Sequence, residues 1–110
     1  MLGAEVVFDG EFGGAHNVFL RVGEGRLHIY DQWQKDRDRG PVHHLGIYCD
    51  DLLKLVATMK SKGAVFRSDV REFRNWRYIM CAAPDNLLLE LFQVDADLIP
   101  PELAAYLAGR

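Results

Sequence analysis

An imperfect internal repeat limits this chain most: residues 3 to 32 echo residues 63 to 93 at an offset of 60 to 62. Gly3-Ala4 answers Gly63-Ala64, Glu11-Phe12 answers Glu72-Phe73, and Leu27-His28-Ile29-Tyr30 answers Leu89-Glu90-Leu91-Phe92. On this alignment His28 stands where the second copy has Glu90. The two copies differ in what precedes them. Val42 to Ser61 lies ahead of Gly63, whereas only Met1 and Leu2 lie ahead of Gly3.

The segment ahead of the second copy has a readable pattern. Val42 to Cys49 alternates, with His44, Gly46 and Tyr48 on one face and Leu45, Ile47 and Cys49 on the other, which predicts a half-buried strand. Asp50 or Asp51 can cap a helix whose apolar positions Leu52, Leu55, Val56 and Met59 follow helical spacing, with Gly63 as its C-terminal stop. Short strands are expected at Ala64 to Arg67, Arg77 to Ala82 and Leu87 to Phe92, with a turn at Pro84-Asp85-Asn86. The last strand alternates too, placing Leu88, Glu90 and Phe92 opposite Leu87, Leu89 and Leu91, the latter set under the helix. The unit reads β-α-β-β-β over residues 42 to 95, against a β-β-β partial copy over residues 1 to 33. Residues 34 to 41 are a charged linker ending in Gly40-Pro41, and Pro100-Pro101-Glu102 opens a C-terminal helix over 99 to 108 with Leu103, Tyr106 and Leu107 as its apolar stripe.

The chain of 110 residues has room for one compact domain, and its 49% hydrophobic content is ordinary for one. A net charge of −3 with scattered basic residues argues against nucleic acid and anionic membranes as partners. No apolar run approaches the roughly 18 residues of a membrane span and Met1 to Gly14 has no secretory pattern, so the expected compartment is the cytoplasm. Cys49 and Cys81 each sit in an apolar stretch and read as reduced, buried thiols.

His44-Leu45-Gly46-Ile47 followed by Asp50-Asp51-Leu52, with Pro84-Asp85-Asn86 followed by Leu89-Glu90-Leu91-Phe92, resembles a glyoxalase module. The resemblance covers almost the whole chain and is to the vicinal oxygen chelate superfamily of glyoxalases, bleomycin-resistance proteins and extradiol dioxygenases. It implies an α+β fold: paired β-α-β-β-β modules forming a cupped mixed β-sheet with helices outside, the first module reduced here to three strands. It also implies metal ligands at the first-strand histidine and last-strand glutamate, which carry over to His44, Glu90 and, through the repeat, His28. The fourth position of that set has no counterpart in this chain.

Such a ligand set suits a divalent ion of the Zn, Ni, Fe, Mn or Co kind, leaving positions where a substrate with adjacent oxygens can chelate. By resemblance the metal is a Lewis acid in a lyase or isomerase acting on a small oxygenated metabolite, and Glu90 is the catalytic base. Each residue has a plainer role beside this one. Glu90 also reads as half of a structural ion pair, His44 as a hydrogen-bonded core histidine, and His28 as a cross-strand packing residue. His43 is expected at the rim, and His16 has no motif. Among the aromatics, Tyr48, Tyr30 and Phe92 share phase with His44, His28 and Glu90 and are the substrate-facing candidates, while Arg74 and Arg77 read as solvated surface. The competing function is a metal-free protein of the bleomycin-resistance type that sequesters a small molecule, and the third is an inactive truncated member.

Leu27 and Ile29 form the helix-facing side of a copy that has no helix ahead of it. An exposed apolar sheet face predicts assembly, so a homodimer is expected, with the Pro101 to Leu107 helix of the same or the partner chain covering part of that face. The alternative is a natural chain longer by roughly one strand and one helix, about 25 residues.

Overall fold

In the computed structural model the described residues are 2–31, 42–73 and 75–109. They form two compact units, Met1–Lys35 with Ile99–Arg110, and Asp36–Leu98. The expected linker 34–41 and Arg74 lie outside the described residues.

The first unit is an antiparallel sheet in the order β1 (Glu5–Phe12), β2 (Ala15–Val22), β3 (Gly25–Tyr30). Gly13, Gly14 and Gly23 take positive φ at its two hairpin turns, a conformation with little steric cost only for glycine. The β1–β2 register slips between Val6 and Phe8, a bulge that leaves Phe8 opposite Phe19. Phe19 pairs with His28 and Leu20 with Leu27, so alternation sends Phe19 and His28 to one face and Leu20 and Leu27 to the other. The C-terminal helix, Pro101–Leu107, belongs to this first unit and buries Leu103 and Tyr106 against Phe19, with Val7, Phe8 and Ile99 around them.

That placement corrects one expectation. The chain's own C-terminal helix covers the Phe19 face, not the face of Leu27 and Ile29. Specific bonds hold it there: the Tyr106 hydroxyl lies 2.8 Å from Leu20 O and 3.1 Å from Leu27 O, and Arg26 Nε donates to Tyr106 O at 3.0 Å with the guanidinium 5.2 Å from the Tyr106 ring. The opposite face keeps Val6, Leu27 and Ile29 exposed at 58%, 50% and 54%.

The second unit has the order β4 (Leu45–Tyr48), α1 (Leu52–Ser61), β5 (Arg71–Phe73), β6 (Trp76–Ala82), β7 (Leu88–Val94), with a 3₁₀ turn at Pro84–Asn86. Its sheet runs β4-β7-β6-β5, with β4 parallel to β7 and the other pairings antiparallel. The repeat is visible in this topology, since β1-β2-β3 and β5-β6-β7 are the same antiparallel meander. Asp51 is the N-cap of α1 and its carboxylate accepts from Lys54 N at 3.1 Å. Gly63 at φ +95° lets its own N–H reach Lys60 O and the next reach Met59 O, the paired bonds that close a helix C-terminus. Leu52 and Val56 bury against Ile79 and Leu91, with Cys49, Leu55, Met59 and Cys81 packed around them. Leu91 is therefore under the helix as its phase predicted.

One strand falls elsewhere than expected. Ala64 to Arg67 has no ladder partner and the edge strand is Arg71–Phe73, because the run after Gly63 places Phe66 and Val70 against the α1 core before the chain joins the sheet. Both cysteines are free and half-buried, and burial, the first cause for each, raises the Cys49 and Cys81 thiol pKa values.

Candidate functional site

The site of the second unit follows from one parallel pairing. β4 and β7 place Gly46 opposite Glu90 and Tyr48 opposite Phe92, and His44, two residues before Gly46, points to the same side. His44 Nε2 and Glu90 Oε2 lie 3.0 Å apart, with side chains only 17% and 16% exposed. Glu90 Oε1 accepts from Trp76 Nε1 at 3.0 Å. A half-buried carboxylate is costly unless its oxygens find donors, and here both do.

Aromatic rings surround the pair. Trp76 stacks on Phe92 with centroids 4.8 Å apart and planes 10° from parallel, and Tyr48 meets Phe92 edge-on at 5.8 Å. Phe92 can lie against β4 because position 46 is glycine: a Cβ there would come 3.1 Å from Phe92 Cε1. The rings are thus keyed to the same strand pair that brings the ionisable groups together.

His43 corrects another expectation. Its Nδ1 is 2.7 Å from His44 Nδ1 and the rings cross at 83°. Strand alternation would have separated them, but β4 begins only at Leu45, so neither histidine is held by the ladder. Trp76 was one aromatic among several in the sequence; its role as donor to Glu90 needed the β6–β7 pairing to be seen.

His28 lies in the first unit. Its Nε2 is 2.7 Å from Asn17 Oδ1, while Asn17 Nδ2 donates to Ala15 O at 2.8 Å, so the amide oxygen accepts and His28 Nε2 carries the proton. The imidazole stacks on Phe19 at 4.1 Å and has Tyr30 at 5.0 Å. Tyr30 and His28 share a face, as their phase predicted. His16, which no motif singled out, has Nδ1 2.9 Å from Glu11 Oε1 and Nε2 beside Asp9 Oδ1, and its backbone N–H donates to Asp31 at 2.8 Å. Hydrogen bonds from its ring N–H groups, first to Glu11 and then to Asp9, raise its pKa above 6.5. Arg77 pairs with Glu72 at 3.1 Å on the exposed edge, the surface role expected of it.

Two ligands of one ion at about 2.1 Å and cis angles sit roughly 3.0–3.4 Å apart, and the His44–Glu90 separation falls in that range. Each also has an outer partner that fixes its orientation, as ligating residues commonly do. The pair fits as two ligands. Among the described residues no group of three or more His, Cys, Asp or Glu side chains comes together to hold an ion. A groove of about 410 Å³ lined by Leu53, Val56, Lys60, Asp69, Val70 and Ile79 runs beside α1, on the sheet face away from Glu90.

The profile of the Glyoxalase/Bleomycin resistance protein/Dioxygenase superfamily matches residues 1–91. No curated protein matches the sequence. Similar solved structures include SMU.1112c, at 20% identity, 83% of this chain, 80% of that one and a TM-score of 0.47. A glyoxylase/bleomycin resistance protein/dioxygenase domain from Frankia sp. EAN1pec follows at 16% identity, 86% and 76% coverage and a TM-score of 0.44. TioX from Micromonospora sp. ML1 is similar at 12% identity, 86% and 79% coverage and a TM-score of 0.41.

Proposed function

Because the chain belongs to the glyoxalase/bleomycin resistance protein/dioxygenase superfamily, we propose that it is a glyoxalase-like, metal-dependent lyase or isomerase of a small oxygenated metabolite, with His44 and Glu90 as ligands. The observation that carries this reading is the 3.0 Å approach of His44 Nε2 to Glu90 Oε2, each group held from behind by a further hydrogen bond. The repeat, rather than any distance, nominates His28 as a further ligand.

A bound divalent ion would supply Lewis-acid polarisation of a substrate carbonyl. Glu90 would be the base that takes the proton from the carbon beside that carbonyl, and the Trp76 indole N–H holds its Oε1. Tyr48 and Phe92 bind the substrate's apolar part and exclude water from the carboxylate; Tyr30 is proposed for the same task by phase with His28.

One observation favours a second reading, a metal-free protein that sequesters a flat ligand: the parallel Trp76–Phe92 stack, with Tyr48 at its edge, is a surface suited to another ring. Elemental analysis of protein purified without a metal-affinity tag separates the two. About one divalent ion per chain, lost in both Glu90→Gln and His44→Ala, supports the enzyme. No metal as purified and none taken up supports the sequestering protein.

The exposed Val6, Leu27 and Ile29 face supports a homodimer. No helix among the described residues is long and apolar enough to cross a membrane, and the free thiols of Cys49 and Cys81 suit a reducing cytoplasm.

A further inference from the structure

His43 has no part in the ligand set, yet it holds one of His44's two ring nitrogens. Two imidazole Nδ1 atoms 2.7 Å apart share a single proton, since two facing lone pairs would repel and two facing N–H groups would clash. The proton of one ring is therefore tied to that of the other. His44's second nitrogen faces Glu90 Oε2 at 3.0 Å.

The two ends of His44 cannot be set independently, because a neutral imidazole carries one N–H. When Nε2–H donates to Glu90, Nδ1 must accept, and His43 supplies the proton from its Nδ1. When Nε2 instead offers its lone pair to an ion, Nδ1–H must donate, and His43 Nδ1 becomes the acceptor. An imidazole at position 43 serves in both states by moving its own proton to Nε2. An apolar side chain serves in neither. Backbone position makes this contact available: His43 precedes the β4 ladder, so its ring is free of the alternation that would have turned it away.

We propose that His43 is a positioning residue, which holds the His44 ring in place and lets it change tautomer when Nε2 passes from Glu90 to a divalent ion. This rests on the metal reading of His44 and Glu90. Removing such an outer partner typically costs roughly 10–100-fold in metal affinity.

The test uses the full chain with zinc alone as probe. Zinc affinity is measured by competition with a chromophoric chelator, and the His44 tautomer by long-range ¹H–¹⁵N spectra of ¹⁵N-histidine protein before and after zinc. Wild type is expected to show the His44 proton on Nε2 without zinc and on Nδ1 with it. His43→Phe is expected to mix the tautomers and lose roughly 10–100-fold in affinity. His43→Asn, whose amide can donate or accept near the Nδ1 position, is expected to recover most of both and also serves if His43→Phe fails to fold. Wild-type zinc affinity and an unchanged His44 tautomer in His43→Phe overturn the proposal while leaving the metal reading intact. Absence of zinc uptake by wild type sinks the metal reading, and the ion-capture role of His43 with it.

Discussion

Replacing Glu90 by leucine removes the acceptor of two N–H groups at once, and the structure sets the scale of the loss. Trp76 Nε1 and His44 Nε2 each approach a different carboxylate oxygen at 3.0 Å, where the His44 and Glu90 side chains are only 17% and 16% exposed. Leaving a buried donor unsatisfied costs about 1–3 kcal/mol. Two such donors, discounted because some water reaches them and leucine adds apolar burial, give about 2–4 kcal/mol. Glu90→Gln behaves differently. Its amide oxygen can accept from Trp76 and its amide hydrogen can donate to His44, whose proton then moves to Nδ1 against His43. Its cost should stay below about 1 kcal/mol. Urea unfolding followed by Trp fluorescence measures both, since m is about 1–3 kcal/mol/M for small proteins and the leucine variant should lose on the order of 1–2 M in midpoint at unchanged m. If Glu90→Leu is no less stable than Glu90→Gln, the hydrogen bonds around the carboxylate are not made in solution and this site geometry is refuted.

Gly46→Ala should lose about 1–2 kcal/mol by overpacking, because the new Cβ meets Phe92 Cε1 at 3.1 Å; a shift in Trp76 fluorescence would show the stack displaced, and an unchanged spectrum and midpoint would contradict it. His16 has its pKa raised by Glu11 and Asp9, so protonation is favoured in the folded state: its contribution is complete below about pH 6.5 and disappears as pH rises through the higher folded value. The urea midpoint of wild type should accordingly exceed that of His16→Gln most near pH 6 and converge with it in alkali; a constant gap would be inconsistent with the pairing. Ile29→Glu places a charge on the Val6, Leu27 and Ile29 face and should turn a light-scattering dimer into a monomer, whereas a wild type that is monomeric across a wide concentration range sinks the dimer.

Local patterns in the sequence determined much of this protein. Apolar spacing, an acidic cap at Asp50 or Asp51 and the Gly63 stop specified α1, and the structure chose Asp51, since a helix end has four backbone groups to satisfy and few residues that can do it. Period-two alternation placed His44 and Glu90, Tyr48 and Phe92, and Tyr30 and His28 in matching phase, because side chains on a ladder have only two directions. The repeat anticipated two copies of one meander. What alternation could not decide is where a ladder starts. His44 and His43 lie one and two residues outside β4, and only their tertiary setting turns the two rings toward each other. Trp76 reaches Glu90 across the β6–β7 pair, a relation between residues fourteen positions apart that depends on register. The C-terminal helix was legible as amphipathic, but an apolar stripe fits either face of a sheet; Phe19, the Leu20 and Leu27 carbonyls and Arg26 chose between them, because there the Tyr106 hydroxyl and the Arg26 donor both find acceptors.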